Sequence, residues 1–235
     1  MYNINNFIYY IPMKGNATDY SRNAFSTTVN GATLTTNDVG ISNMAYNFDG
    51  TNDYISMGTT AYDALVDAMN AGSVTIYINM INNKASNAND IVLTAGDSNV
   101  GVFTDVLQIN EFTGSSNKTA IYAGNDSDSN SIYTSVAPTL ATWKKMQYET
   151  TYATTKYTGR VLKDGTALGL TRSETNQIIT KSADGSRSIW LGWRQDSPSG
   201  RSFKGKMSNA FAIKRVLTNA DYKFISKFSN RKRVA

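Results

Sequence analysis

At 235 residues the chain is long enough for one large all-β domain. It has no cysteine and no histidine, which excludes disulfides, thiolate metal sites, imidazole bases and His-dependent nucleophilic triads. Net charge is +5, yet only 17% of residues are charged, so the surface is polar through Asn, Thr and Ser, a composition that suits strands and loops better than long helices.

The opening, MYNINNFIYYIPMKG, has no basic segment before its apolar run and no small-residue cleavage site, and reads as lacking a signal peptide. No apolar run approaches the ~20 residues that a membrane helix needs. Phe7 to Met13 alternates as a first strand, with Pro12 placing it at an edge or ending it. A turn-rich loop, GNATDYSRN, follows with one acid, Asp19, and Asn30-Gly31 is a tight-turn signal. AYNFDGTNDYISM (Ala45 to Met57) reads as strand, tight turn, strand: Phe48 enters the core, Asp49-Gly50 and Asn52 turn, and Tyr54 and Ile55 restart.

Ala61 to Met69 carries Tyr62, Leu65, Val66 and Met69 at helical spacing, with Thr60 as the expected cap and Gly72 as the stop. Ser73 to Ile81 alternates as a half-buried central strand, and Ile91–Ala95 and Val100–Ile109 supply two more. Asn110 to Lys118 and Gly124 to Asn130 read as polar loops flanking a strand from Thr119 to Ala123, and such loops on one rim are a place for a binding surface. Trp143–Tyr152 and Tyr157–Lys163 are strands ending at the hairpin signal Asp164-Gly165. SIWLGW (Ser188 to Trp193) puts Ile189, Leu191 and Trp193 on one face and Trp190 on the other.

The last stretch, FKGKMSNAFAIKRVLTNADYKFISKF (Phe203 to Phe228), reads as a strand, a turn and a short helix. Period-two alternation puts Met207, Phe211 and Ile213 on one side, and Ser208, Ala210, Ala212 and Lys214 on the other. Thr218 is the expected cap of the helix, with Tyr222 and Ile225 turned to the sheet.

Taken in order, the Gly-Asn-x-x-Asp-x-Ser loop, the AYNFDGTNDYI run, the Trp143-to-Gly165 block and the FKGKM-led strand resemble laminin-G-like domains of the concanavalin A-like lectin/glucanase family. The resemblance spans Phe7 to Phe228 and implies an all-β fold: a two-sheet antiparallel β-sandwich, a jelly roll, with one short internal helix and a short C-terminal helix. It implies a single domain over residues 1–235, with a basic tail at 229–235. Where relatives place a Trp near the end of the central strand, this chain has Asn79.

Retaining glycoside hydrolases of this fold carry Glu-x-Asp-x-Glu, because attack and proton donation need two carboxylates about 5 Å apart. The three glutamates here, Glu111, Glu149 and Glu174, lie far apart, so no enzyme activity and no catalytic residues are expected. Calcium-binding relatives use the acid of the early loop, here Asp19, and acids at the entry of the last strand, here Ser208 and Asn209. With that charge missing, calcium is disfavoured and no cofactor is expected. Glycan binding needs aromatic platforms, for which Trp190, Trp193 and Tyr10 are the candidates, each with a core role as the alternative. Arg231, Lys232 and Arg233 form either a solvated tail or a docking anchor on an acidic partner. No nucleic-acid motif accompanies them.

Laminin-G-like jelly rolls are common in bacteriophage particles. The resemblance therefore implies a virion structural protein made in the host cytoplasm: a capsid decoration, head fibre or tail-associated protein, multimeric on its particle. Its partners would be other virion proteins and host-surface or mucus glycans, with neither nucleic acid nor membrane. The alternative is a carbohydrate-binding module of a bacterial surface or secreted protein.

Overall fold

The computed structural model describes residues 4–84, 89–96, 107–112, 118–123, 131–153, 156–170, 174–175, 187–193 and 201–229. Sixteen strands and two α-helices are formed among them. The first half holds β1 (Phe7–Ile11), β2 (Thr28–Asn30), β3 (Thr33–Thr35), β4 (Ala45–Asp49), β5 (Tyr54–Ser56), α1 (Gly58–Ala71), β6 (Ser73–Asn82), β7 (Asn89–Gly96) and β8 (Leu107–Phe112). The second holds β9 (Lys118–Ala123), β10 (Ser131–Thr134), β11 (Lys144–Ala153), β12 (Lys156–Lys163), β13 (Thr166–Ala167), β14 (Glu174–Thr175), β15 (Ser188–Leu191), β16 (Lys204–Ile213) and α2 (Asn219–Ser229).

The strands form two antiparallel sheets, the two-sheet sandwich expected from the sequence. One runs β13-β12-β11-β6-β16-β4-β3, with β1 beside β16 and β14 beside β12; the other runs β10-β9-β8-β7-β15-β5-β2. The turn signals at Asn30-Gly31 and Asp49-Gly50 do not close hairpins, because each joins strands of different sheets. Gly31 (φ 69°) is required at its corner, since a Cβ there would lie 1.9 Å from Asp53 Oδ1. Asp164-Gly165 does close a hairpin, with both residues at positive φ.

The main core lies between the sheets and includes Phe48, Ile55, Ile76, Ile78, Leu93, Ile109, Ile189, Leu191 and Met207. α1 closes one end of it with Tyr62, Leu65, Val66 and Met69, all fully buried. The helix starts two residues before Thr60. Its first N–H, of Gly58, donates to Ser188 Oγ at 2.8 Å, and the residue at the cap position, Met57, makes no side-chain cap bond.

Strand β16 departs from simple alternation. Met207 is opposite Met80 and Ala210 is opposite Ile78, so Ser208 and Asn209 together face Asn79 in a β-bulge. The extra residue flips parity. Met207, Ala210 and Ala212 point into the main core, while Phe211 and Ile213 point out, correcting the expected pairing of Phe211 with Met207. There they join Tyr77, Leu217 and Ile225 in a second cluster under α2. Thr218 caps α2 as expected: Asp221 N donates to Thr218 Oγ1 at 3.2 Å, and Thr218 N to Asp221 Oδ2 at 2.8 Å. Asn110 to Phe112, expected in a loop, instead extend β8, because Glu111 points inward to an ion pair and breaks the apolar pattern.

Candidate functional site

Pro12 has no N–H to continue a ladder, and β1 stops at Ile11. The loop that follows is ordered by Asp19, which is 3% exposed. Its carboxylate accepts from Tyr10 N (2.8 Å), Ser21 N (2.9 Å), Ser21 Oγ (2.8 Å) and Phe25 N (3.0 Å). Tyr20 N donates to Tyr10 O at 2.7 Å, and Gly15 N donates to Asn43 O at 2.7 Å. The second bond brings the Lys14-Gly15 turn against Ser42–Met44. Met13 (φ 54°) and Asn43 (φ 57°) both sit in the left-handed region at this junction.

The result is a surface groove of about 460 Å³, lined by Tyr10, Pro12, Lys14, Gly15, Tyr20, Ser42, Asn43 and Met44. Its size falls within that of small-ligand sites. Two tyrosines supply apolar faces, Tyr20 being 48% exposed, while Lys14, Ser42 and Asn43 supply donors and acceptors. That mixture matches a sugar ring, which has apolar C–H faces and a polar hydroxyl edge.

Three of the residues singled out from sequence meet along the β1–β16 seam. Tyr10 lines the groove, Asp19 holds the Tyr10 backbone, and Asn209 occupies the bulge one residue before Ala210, the partner of Ile11. Asp19 and Asn209 do different work. The Asp19 carboxylate is engaged by four protein donors, and Asn209 is 5% exposed with its Oδ1 unpartnered. The two tryptophans belong to the other sheet. Trp190 lies opposite Ser56 and Thr94 on the outer face of the seven-stranded sheet and is only 6% exposed. Trp193 is half-buried and stacks on Tyr54 with centroids 4.9 Å apart and planes 15° from parallel. Arg231, Lys232 and Arg233 lie outside the described residues, as do most of the two rim loops.

Lys14, Tyr20, Ser42 and Asn43 were not singled out from sequence. Tyr20 sits in the GNATDYSRN loop, which was legible as a loop; Ser42 and Asn43 join it only through the Gly15–Asn43 contact.

Of the glutamates, Glu111 pairs with Lys144 Nζ at 2.7 Å inside the sandwich, and Glu149 with Arg160 Nη2 at 2.6 Å. Burial pushes the Glu149 carboxyl above the usual carboxylate range, partly offset by Arg160. The Glu174 side chain lies outside the described residues.

No protein-family model and no curated protein matches the sequence. Comparison with solved structures finds Trypanosoma rangeli sialidase in complex with sialic acid, at 13% identity and a TM-score of 0.62, over 95% of this chain and 33% of that one. It also finds the botulinum neurotoxin type C whose cell entry depends on interaction with two ganglioside molecules, at 11% identity and a TM-score of 0.69 over 97% of this chain and 52% of that one. The binding domain of botulinum neurotoxin serotype D/C is similar at 11% identity and a TM-score of 0.68. The chain thus spans about a third of the sialidases it matches and about half of the toxin chains.

At such identities the likeness shows the fold alone, a two-sheet antiparallel β-sandwich. It also corrects the expectation that the chain is not an enzyme. That expectation rested on a missing Glu-x-Asp-x-Glu pattern and on the absence of His and Cys. Sialidases are enzymes and match across 95% of the chain, so a census keyed to one glycosidase pattern does not settle the matter.

Proposed function

We propose that this protein is a lectin-like virion structural protein of a bacteriophage, a capsid-decoration, head-fibre or tail-associated component, that binds surface glycans through the Tyr10–Tyr20 groove. The groove carries the reading: apolar faces and hydrogen-bonding groups meet in a space of sugar size. The toxin that interacts with gangliosides supports it as a protein of the same fold. The virion setting is supported by the laminin-G-like resemblance and by the weakly charged, Asn- and Thr-rich composition. In this setting Arg231, Lys232 and Arg233 anchor the chain to an acidic face of a neighbouring virion protein, and calcium is not needed. A second reading, a carbohydrate-binding module within a larger bacterial surface or secreted protein, is favoured by the share of the sialidase chain that this chain matches.

A glycan array with the purified protein, run with and without a calcium chelator, tests the glycan reading. Competable binding that is lost in Tyr20→Ala and unaffected by chelator is expected; silence in both conditions overturns it. Retained particle attachment after deletion of residues 230–235 overturns the anchor.

A further inference from the structure

Three side chains that take no part in the groove meet between the two sheets. Asn82 ends β6, and Lys144 opens β11, the neighbouring strand. Lys144 lies opposite Met80, which makes Asn82 its diagonal neighbour on the inner face. Glu111 reaches both from β8 of the other sheet. Asn82 and Glu111 are 0% exposed and Lys144 is 2% exposed.

One oxygen joins the three. Glu111 Oε2 accepts from Lys144 Nζ at 2.8 Å and from Asn82 Nδ2 at 3.0 Å. An amine and a carboxamide thus sit side by side on a single carboxylate. The amide is fixed at both of its polar atoms: Nδ2 also donates to Asp90 Oδ2 at 2.8 Å, and Oδ1 accepts from Lys84 N at 2.9 Å. Lys144 Nζ is held in turn by Thr139 O at 2.9 Å. Together these groups supply the parts of an acyl transfer. Lys144 Nζ is the nucleophile, Glu111 a base in contact with it, and Asn82 Cγ the acyl carbon. The Lys84 backbone N–H faces the oxygen on which negative charge would develop. Holding amine and amide in this geometry turns a sluggish bimolecular reaction into a unimolecular one.

We propose that Lys144 and Asn82 join in an intramolecular isopeptide bond, with Glu111 relaying the protons. Glu111 takes a proton from the Lys144 ammonium, and the neutral Nζ attacks Asn82 Cγ. The new C–N bond forms as charge builds on Oδ1, opposite the Lys84 N–H. Glu111 then gives its proton to Nδ2 and takes the second proton from Nζ. The C–Nδ2 bond breaks, and ammonia leaves with that last proton as ammonium, which restores the carboxylate. Nothing is oxidised or reduced, and no co-reactant is consumed. The bond closes a loop from residue 82 to residue 144 that holds β7, β8, β9 and β10 of the seven-stranded sheet. A chain without cysteine gains in this way the kind of covalent brace that a disulfide provides elsewhere. The bond is independent of what the groove binds.

The test is the intact mass of the denatured full chain after prolonged incubation at neutral pH. The mass is expected to fall short of the sequence mass by one ammonia, and a proteolytic digest to contain a branched peptide that joins the Asn82 and Lys144 segments. Glu111→Gln, which removes the base and keeps the shape, and Lys144→Met should both return the full sequence mass. An unmodified chain at its full sequence mass overturns the inference and leaves an ion pair with an amide donor beside it. A deficit of one water with Lys84 joined to Asp90 overturns it too. So does a deficit of one ammonia without the branched peptide, the mark of an asparagine that has cyclised on its own backbone. Stability does not discriminate, because losing Lys144 strands the Glu111 charge with or without the bond. Should either variant fail to fold, the mass and the digest of the unmodified chain still decide.

Discussion

Lys144 is 2% exposed, and its ammonium lies inside the sandwich between Glu111 and the Thr139 carbonyl, which it reaches at 2.9 Å. The Asn82 amide donates to Glu111 at 3.0 Å and to Asp90 at 2.8 Å, and Lys84 pairs with Asp90 at 2.9 Å. This knot ties β6 and β11 of one sheet to β7 and β8 of the other. Removing one partner of a buried ion pair strands the other charge. Lys144→Ala is therefore expected to cost about 3–5 kcal/mol in urea denaturation, whereas Lys144→Met combined with Glu111→Leu recovers most of the loss. If the double variant is no more stable than Lys144→Ala, shape and hydrogen bonding at this spot outweigh the charge. Sequence offered little warning of the knot: Glu111 and Lys144 are 33 positions apart, and each reads as a surface charge on its own.

The strands of the sandwich were legible wherever alternation was unbroken, as in β6 and β11. Parity was lost at the β16 bulge, since Ser208-Asn209 carries no local mark that two residues face one. Deleting Asn209 removes the bulge, sets Ser208 alone opposite Asn79, and leaves Ala210 and Ala212 facing the main core with Phe211 and Ile213 facing out. The shortened chain is therefore expected to keep a sharp, cooperative thermal transition; its loss would mean that the bulge itself, and not only the facing of the residues around it, is needed for the strand. The cap of α2 was legible because a Thr–Asp box is local in sequence. Thr218→Ala removes the acceptor of the Asp221 N–H and is expected to cost about 1 kcal/mol, seen as earlier loss of amide protection in α2 than in the sheets.

Across the whole molecule, the core followed from pattern, but the groove did not. Tyr10 stood out as an aromatic in an alternating strand, whereas the wall opposite it comes from a contact between Gly15 and Asn43 that no motif announces. The same separation of local and global holds for ionisation. Burial raises the carboxyls of Asp53, Asp90 and Glu149 above their usual range, most directly for Asp90, where Lys84 and Asn82 only partly offset it and Glu111 adds to it. Each of these groups holds its proton more tightly folded than unfolded. Its contribution is complete below the usual carboxylate pKa and is lost as pH rises through the raised folded value. Acid repulsion in a chain of net charge +5 acts in the opposite sense on the molecule as a whole, so the difference between variants is the cleaner reading. Asp90→Asn removes the titration and keeps the shape. Its urea midpoint relative to the unmodified chain should rise steadily as pH climbs from below the carboxylate range to neutrality. A midpoint difference that falls over the same range would show that the Lys84 pair, and not burial, governs Asp90.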